Sequence, residues 1–132
     1  MKRLLAVSFL VLGLFPVTTA GSAQAACYPP NCWGAIAIGT RNGAWRWTVN
    51  HPSGNIARRR ALSQCGGRCD RSLVFRNTCG AYATPATLSG GYGWATRYTR
   101  GAAQQAALFQ CRRYNPGQGC RIRAWACTNR TR

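Results

Sequence analysis

The chain has no glutamate, one aspartate (Asp70), one histidine (His51), one lysine (Lys2) and no methionine after Met1. General acid–base, nucleophile-activating and metal chemistry draws on carboxylates, histidines and lysines, so the scarcity argues for a non-enzymatic protein. Of 18 basic residues only Lys2 and Arg3 lie near the start, which leaves sixteen arginines facing Asp70. Removing those two charges takes the net charge from +17 to +15. Long apolar runs are missing after the amino terminus, where nothing approaches the roughly 20 apolar residues of a spanning helix.

What is there begins with Met1-Lys2-Arg3, an apolar run from Leu4 to Val17, and Ala23-Gln24-Ala25-Ala26. This pattern reads as a secretory signal peptide over residues 1–25, cut after Ala25 or Ala26, ahead of a single domain over 26–132. The expected location is secreted, or periplasmic and cell-envelope. A lipid-modified Cys27 is the competing reading, opposed by Gln24 where such signals carry a leucine-like residue. All eight cysteines, at 27, 32, 65, 69, 79, 111, 120 and 127, follow the leader. An even count in a small exported chain reads as disulfides. Cys65-x-x-x-Cys69 resembles half a zinc site, but no histidine pair completes it, and neither metal nor cofactor is expected.

Compared with itself at an offset of 46, the chain pairs Gly34-Ala35 with Gly80-Ala81, Ala57 with Ala103, Ala61 with Ala107 and Cys65 with Cys111. Between these blocks the register slips by one, so Asn42-Gly43 faces Ser89-Gly90 and Trp47 faces Trp94. Each unit reads as strand, turn, aromatic-rich strand, a helix capped by Ser53 or Thr99, and a third strand (Arg71 to Thr78, or Arg121 to Ala126). Asn42-Gly43 predicts a hairpin with two left-handed central residues. The expected fold is α+β: two tandem β-β-α-β repeats, about 33–78 and 79–127, forming one pseudo-twofold, disulfide-stapled domain. Neither repeat buries enough apolar surface to fold alone.

Eight cysteines allow 105 connectivities, and equivalent positions in two copies should pair equivalently. That reasoning favours Cys65–Cys69 and Cys111–Cys120 across short loops, Cys79–Cys127 between third strands, and Cys27–Cys32 as an amino-terminal clip. Cys79–Cys127 is expected to tie the copies together.

The pattern Trp33-Gly34-Ala35-Ile36-Ala37, the alanine helix ending at Cys65, Cys79-Gly80-Ala81, the second alanine helix ending at Cys111, and Trp125-Ala126-Cys127 resembles the domain-of-unknown-function family 4189. The resemblance runs from Trp33 to Cys127. It implies a small exported bacterial protein with a repeated α/β unit, and it implies no activity.

His51, in Asn50-His51-Pro52-Ser53, reads as a surface loop residue, and Asp70 as a counter-ion between Arg68 and Arg71. No serine has a nucleophile-elbow context, and Gly90, Gly91 and Gly93 match no phosphate fingerprint. The arginines carry the positive case, since guanidinium binds phosphate and carboxylate in a planar fork and stays charged. Arg58-Arg59-Arg60 is peculiar to the first unit, where the second has Gln104-Gln105-Ala106. On the last strand, alternation places Arg121, Arg123 and Trp125 on one face and Ile122, Ala124 and Ala126 on the other. The simpler reading of the tryptophans is core.

The expected function is an exported, non-enzymatic, strongly cationic binding protein engaging anionic envelope or host surfaces through Arg58, Arg59, Arg60, Arg121, Arg123 and Trp125. An anionic polymer or lipid surface is the expected partner, with a protein partner as another option and nucleic acid disfavoured by export. The alternatives are a membrane-active cationic effector, prompted by Trp45-Arg46-Trp47, and an enzyme inhibitor.

Overall fold

The computed structural model describes Cys27 and residues 31–128; the expected leader over 1–25, its cleavage point, and Arg130 and Arg132 lie outside them. The elements are β1 (Trp33–Ile38), β2 (Trp45–His51), α1 (Gly54–Gln64), β3 (Arg71–Arg76), β4 (Cys79–Pro85), β5 (Gly93–Arg97), α2 (Arg100–Tyr114) and β6 (Cys120–Cys127). The fold is mixed α/β, with two antiparallel three-stranded sheets ordered β2-β1-β3 and β5-β4-β6.

Strand alternation decides what each sheet faces. Ala35 and Ala37 of β1 pack on Ala57, Ala61 and Cys65 of the α1 turn. Ile36 and Ile38 point the other way and join Phe75, Tyr82, Ala124 and Ala126 in one buried cluster drawn from both sheets. β4 repeats the arrangement, with Cys79, Ala81 and Ala83 packed on Ala103, Ala107 and Cys111 of α2. The layers therefore run helix, sheet, sheet, helix. The larger side chains fill the space between the sheets, and alanines line both helix contacts. A side chain of one carbon lets a helix lie close. At β5 even that is too much, since a Cβ on Gly93 would sit 1.9 Å from the Ala107 carbonyl oxygen. Burial between the sheets pushes the Tyr82 phenol up to about 12.

Both helices start where the sequence places a cap. Ser53 Oγ accepts from Ile56 N at 3.3 Å and Thr99 Oγ1 from Ala102 N at 3.2 Å, each bond stabilising its helix by about 1 kcal/mol. The first hairpin differs from expectation. Gly43 is left-handed (φ 66°), Asn42 is not among the positive-φ residues, and six residues, 39–44, connect β1 to β2. Asn42 instead acts through its carboxamide, accepting from Ala44 N and donating to the Arg68 carbonyl. That side-chain turn replaces the two-residue hairpin that Asn-Gly predicts.

Four disulfides join Cys27–Cys32, Cys65–Cys69, Cys79–Cys127 and Cys111–Cys120, and no cysteine is free. One expectation about them fails. Cys79 and Cys127 are direct partners on neighbouring strands β4 and β6 of the same sheet, so their bridge closes the second sheet on itself. None of the four crosses between residues 33–78 and 79–127. The two sheets are held to each other by their shared apolar cluster, by hydrogen bonds such as that from Arg123 to Gly43, and by the continuous chain between β3 and β4.

Candidate anion-binding surface

α1 follows directly on His51 and Ser53 and turns Ala57 and Ala61 inward. Three consecutive helical residues then sweep roughly 200° of the opposite side, so Arg58, Arg59 and Arg60 are all exposed. Their directions diverge. Arg58 lines a hollow with Asp70, Arg71 and Ser72 on the β3 side, while Arg59 and Arg60 line another with Ser63 and Gln64. The chain's one carboxylate neutralises little of this charge by direct bonding. Asp70 accepts from Thr40 N at 2.7 Å and Thr40 Oγ1 at 2.8 Å. Those bonds hold its pKa below the ordinary carboxylate value, and Arg71 contributes least to that shift. Besides its charge interaction with Arg71, Asp70 anchors the β1–β2 turn through Thr40.

The reading of His51 as a surface loop residue is corrected. It ends β2 opposite Trp33, is buried, and its Nε2 shares a short hydrogen bond with Thr48 Oγ1. Burial first, and the Arg60 charge second, lower its pKa from the ordinary 6.5. The Asp70 backbone N–H meets the carbonyl of Ile38, at the other end of β1. The two ends of that strand are roughly 17 Å apart at about 3.4 Å per residue, so His51 and Asp70 form no dyad. Among the described residues no cluster of three metal-ligating side chains occurs.

The second expected cluster is divided by a bulge. Tyr82 pairs with Ala124 and Ala83 with Ile122, leaving Arg123 as an extra residue on β6. An inserted residue reverses the alternation beyond it. Ile122, opposite Ala83, therefore faces α2, as does Trp125 opposite Ala81, whereas Ala124 and Ala126 face the other sheet. Arg121, Arg123 and Trp125 do not share one face. Arg123 reaches toward the first sheet, where its Nη2 donates to the Gly43 carbonyl at 3.2 Å. Trp125 is 38% exposed, and the Arg100 guanidinium lies 3.7 Å from its ring centroid. α1 sits on the far face of the first sheet from β6, so Arg58–Arg60 and the β6 residues form two separate basic regions.

Sequence reasoning missed Arg100 as the cation on Trp125, and it missed Trp45, Trp47 and Val49 as neighbours of β6. The second group had a signal. The three residues alternate along β2, and so share one face of the sheet.

The fold and these surfaces define a small, disulfide-bonded α/β protein with an arginine-rich exterior and no assembled catalytic group among its single histidine and aspartate. The chain belongs to a family described as a domain of unknown function, DUF4189, whose model matches residues 33–127. A similar solved structure is the NMR structure of Rv1813c from Mycobacterium tuberculosis, with 27% identity and a TM-score of 0.57, covering 95% of this chain and 99% of that one. No curated protein matches the chain.

Proposed function

We propose that this is an exported, non-enzymatic binding protein that docks on anionic envelope or host surfaces. The observation that carries the reading is the exposed Arg58-Arg59-Arg60 turn of α1, beside a carboxylate already engaged by Thr40. Unneutralised guanidinium groups on a rigid helix steer polyanions and bind them in a salt-dependent way. Four disulfides fit an oxidising, extracytoplasmic setting, which supports export after removal of residues 1–25. Among the described residues no helix is long and apolar enough to cross a membrane.

The scaffold is proposed to be a tandem duplication of β-β-α-β units, 33–78 and 79–127. Support comes from the matching element order, the central first strand of each sheet, the paired Ser53 and Thr99 caps and the two alanine stripes. Of the two units, only the first carries three arginines at this helix turn, so binding is assigned to that side. A membrane-active reading has its own observation, the exposure of Tyr98, Phe109 and Tyr114.

The test uses the oxidised chain lacking residues 1–25, offered phosphatidylglycerol vesicles, an anionic envelope polymer and duplex DNA at low and physiological salt. Retention on one of these at physiological salt, lost on joint replacement of Arg58, Arg59 and Arg60 by glutamine, is the expected result. Equal retention by that triple variant overturns the assignment. Release of vesicle contents transfers support to the membrane-active reading.

A further inference from the structure

A groove of about 360 Å³ opens between the edges of the two sheets. One wall is β2, an edge strand, and the other is β6, the edge strand of the second sheet. Trp45 and Trp47 pair with Ile38 and Ile36, so they share the face of the first sheet that meets the second. Opposite them, the β6 side chains that face the first sheet are Ala124 and Ala126. Large side chains on one wall against methyl groups on the other leave a slot that the chain does not fill. Trp47 remains 46% exposed and Trp125, at the rim, 38%.

The slot has one cation in its lining. Arg123 stands at the β6 bulge, held by the Gly43 carbonyl through Nη2, while its Nε is buried without a hydrogen-bond partner. A guanidinium donor with no acceptor is costly to leave so, and Arg123 itself lines the groove. The rest of the lining is indole, isopropyl, methyl and disulfide, with no side-chain hydroxyl, carboxamide or carboxylate. Sugar hydroxyls would find few side-chain partners there. An anionic group on an apolar body matches both the walls and the charge. At roughly 30 Å³ per group, the share of liquid volume one water takes, the space holds about a dozen heavy atoms.

We infer that the groove binds a small amphiphilic carboxylate, its acyl or aryl body between the β2 tryptophans and the β6 alanines and its carboxylate on Arg123. This site differs from the α1 surface in residues and in ligand, so either can fail alone. Binding there requires no membrane and no polymer.

The experiment is a titration of the oxidised protein, followed by tryptophan emission and by the indole and Arg Nε–H signals in NMR. The probes are dodecanoate and 2-naphthylacetate, with 1-dodecanol and 2-ethylnaphthalene as uncharged comparators, all below aggregation. Saturable one-to-one binding of at least one carboxylate is expected. Arg123→Gln should weaken it about tenfold, as befits a lost charge-assisted hydrogen bond, and leave the matched neutral probe within about threefold. Preference between the two carboxylates distinguishes an acyl from an aryl source. Trp47→Ala, at a half-exposed position, should weaken charged and neutral probes alike. Arg112→Gln, at an exposed position of α2 away from the groove, should leave both unchanged. Equal affinity for carboxylate and neutral partner, no saturable binding of either carboxylate, or indifference to both Arg123→Gln and Trp47→Ala overturns the inference.

Discussion

Replacing Gly34 by alanine probes the contact between the sheets directly. A Cβ at Gly34 would lie 2.5 Å from Cε2 and 2.6 Å from Cζ of Phe75, whose ring is buried (3% exposed). Carbon atoms in favourable contact sit about 3.5–4.0 Å apart, so the ring must retreat by roughly 1 Å. It has little room, because its Cδ1 lies 2.8 Å from where a Cβ on Gly80 would be. The ring thus occupies a slot made by one glycine from each sheet. Overpacking of this kind costs about 1–3 kcal/mol, offset by the roughly 0.4–1 kcal/mol that alanine gains over glycine by restricting the unfolded chain. A net loss of about 1–2 kcal/mol is expected. In a domain of this size each kcal/mol shifts Tm by about 4–8 °C, readable by thermal and urea unfolding with the disulfides intact. Phe75→Leu should be destabilising alone and should partly rescue Gly34→Ala, a coupling that a double-mutant cycle isolates. Unchanged stability in Gly34→Ala, or full additivity with Phe75→Leu, would refute the slot.

Removing Cys79–Cys127 by paired alanine substitution should cost about 4 kcal/mol on the loop-entropy model, and removing Cys65–Cys69 about 2; denaturant midpoints should rank them in that order. Because no bridge joins residues 33–78 to 79–127, a chain cut between Asn77 and Thr78 and denatured without reductant should separate into two fragments, and a single species on mass spectrometry would contradict the connectivity. The pKa of His51 is lowered on folding, so the unfolded state binds more protons. Its contribution is complete above about 6.5, the unfolded value, and falls as pH drops through that value toward the folded one. Urea midpoints should therefore decline from pH 7 to pH 5, with a shallower slope in His51→Gln; an identical slope would place the titration elsewhere. Binding of the protein to a sulfated polymer should weaken steeply with salt, with a smaller log–log slope after Arg58, Arg59 and Arg60 become glutamine.

The helix caps, the helix periodicity and the disulfide-bonded state needed only the sequence, whereas the Asn42-Gly43 turn did not follow its dipeptide. Ser53 and Thr99 announce helix starts because their hydroxyls reach amide groups three residues on. Alanine every four residues announces a close helix contact because the α-helix repeats every 3.6 residues. An even set of cysteines in a small chain announces disulfides. Composition alone set seventeen arginines against one acidic residue, a property no fold can change. The relations between distant segments needed the tertiary structure. Alternation along β6 was read as unbroken, and one inserted residue at Arg123 sent Trp125 toward α2 and the guanidinium toward Gly43. His51 looked like a loop residue until the β1–β2 pairing buried it. The Cys79–Cys127 pair was expected from the sequence, but only the strand order showed that it closes one sheet and does not join the two halves. The groove beside Trp47 exists only because two edge strands of unlike side-chain size meet. Periodicity and capping are set by neighbours within a few residues, whereas bulges, strand order and the fit of one sheet against another follow from contacts between segments far apart in the chain.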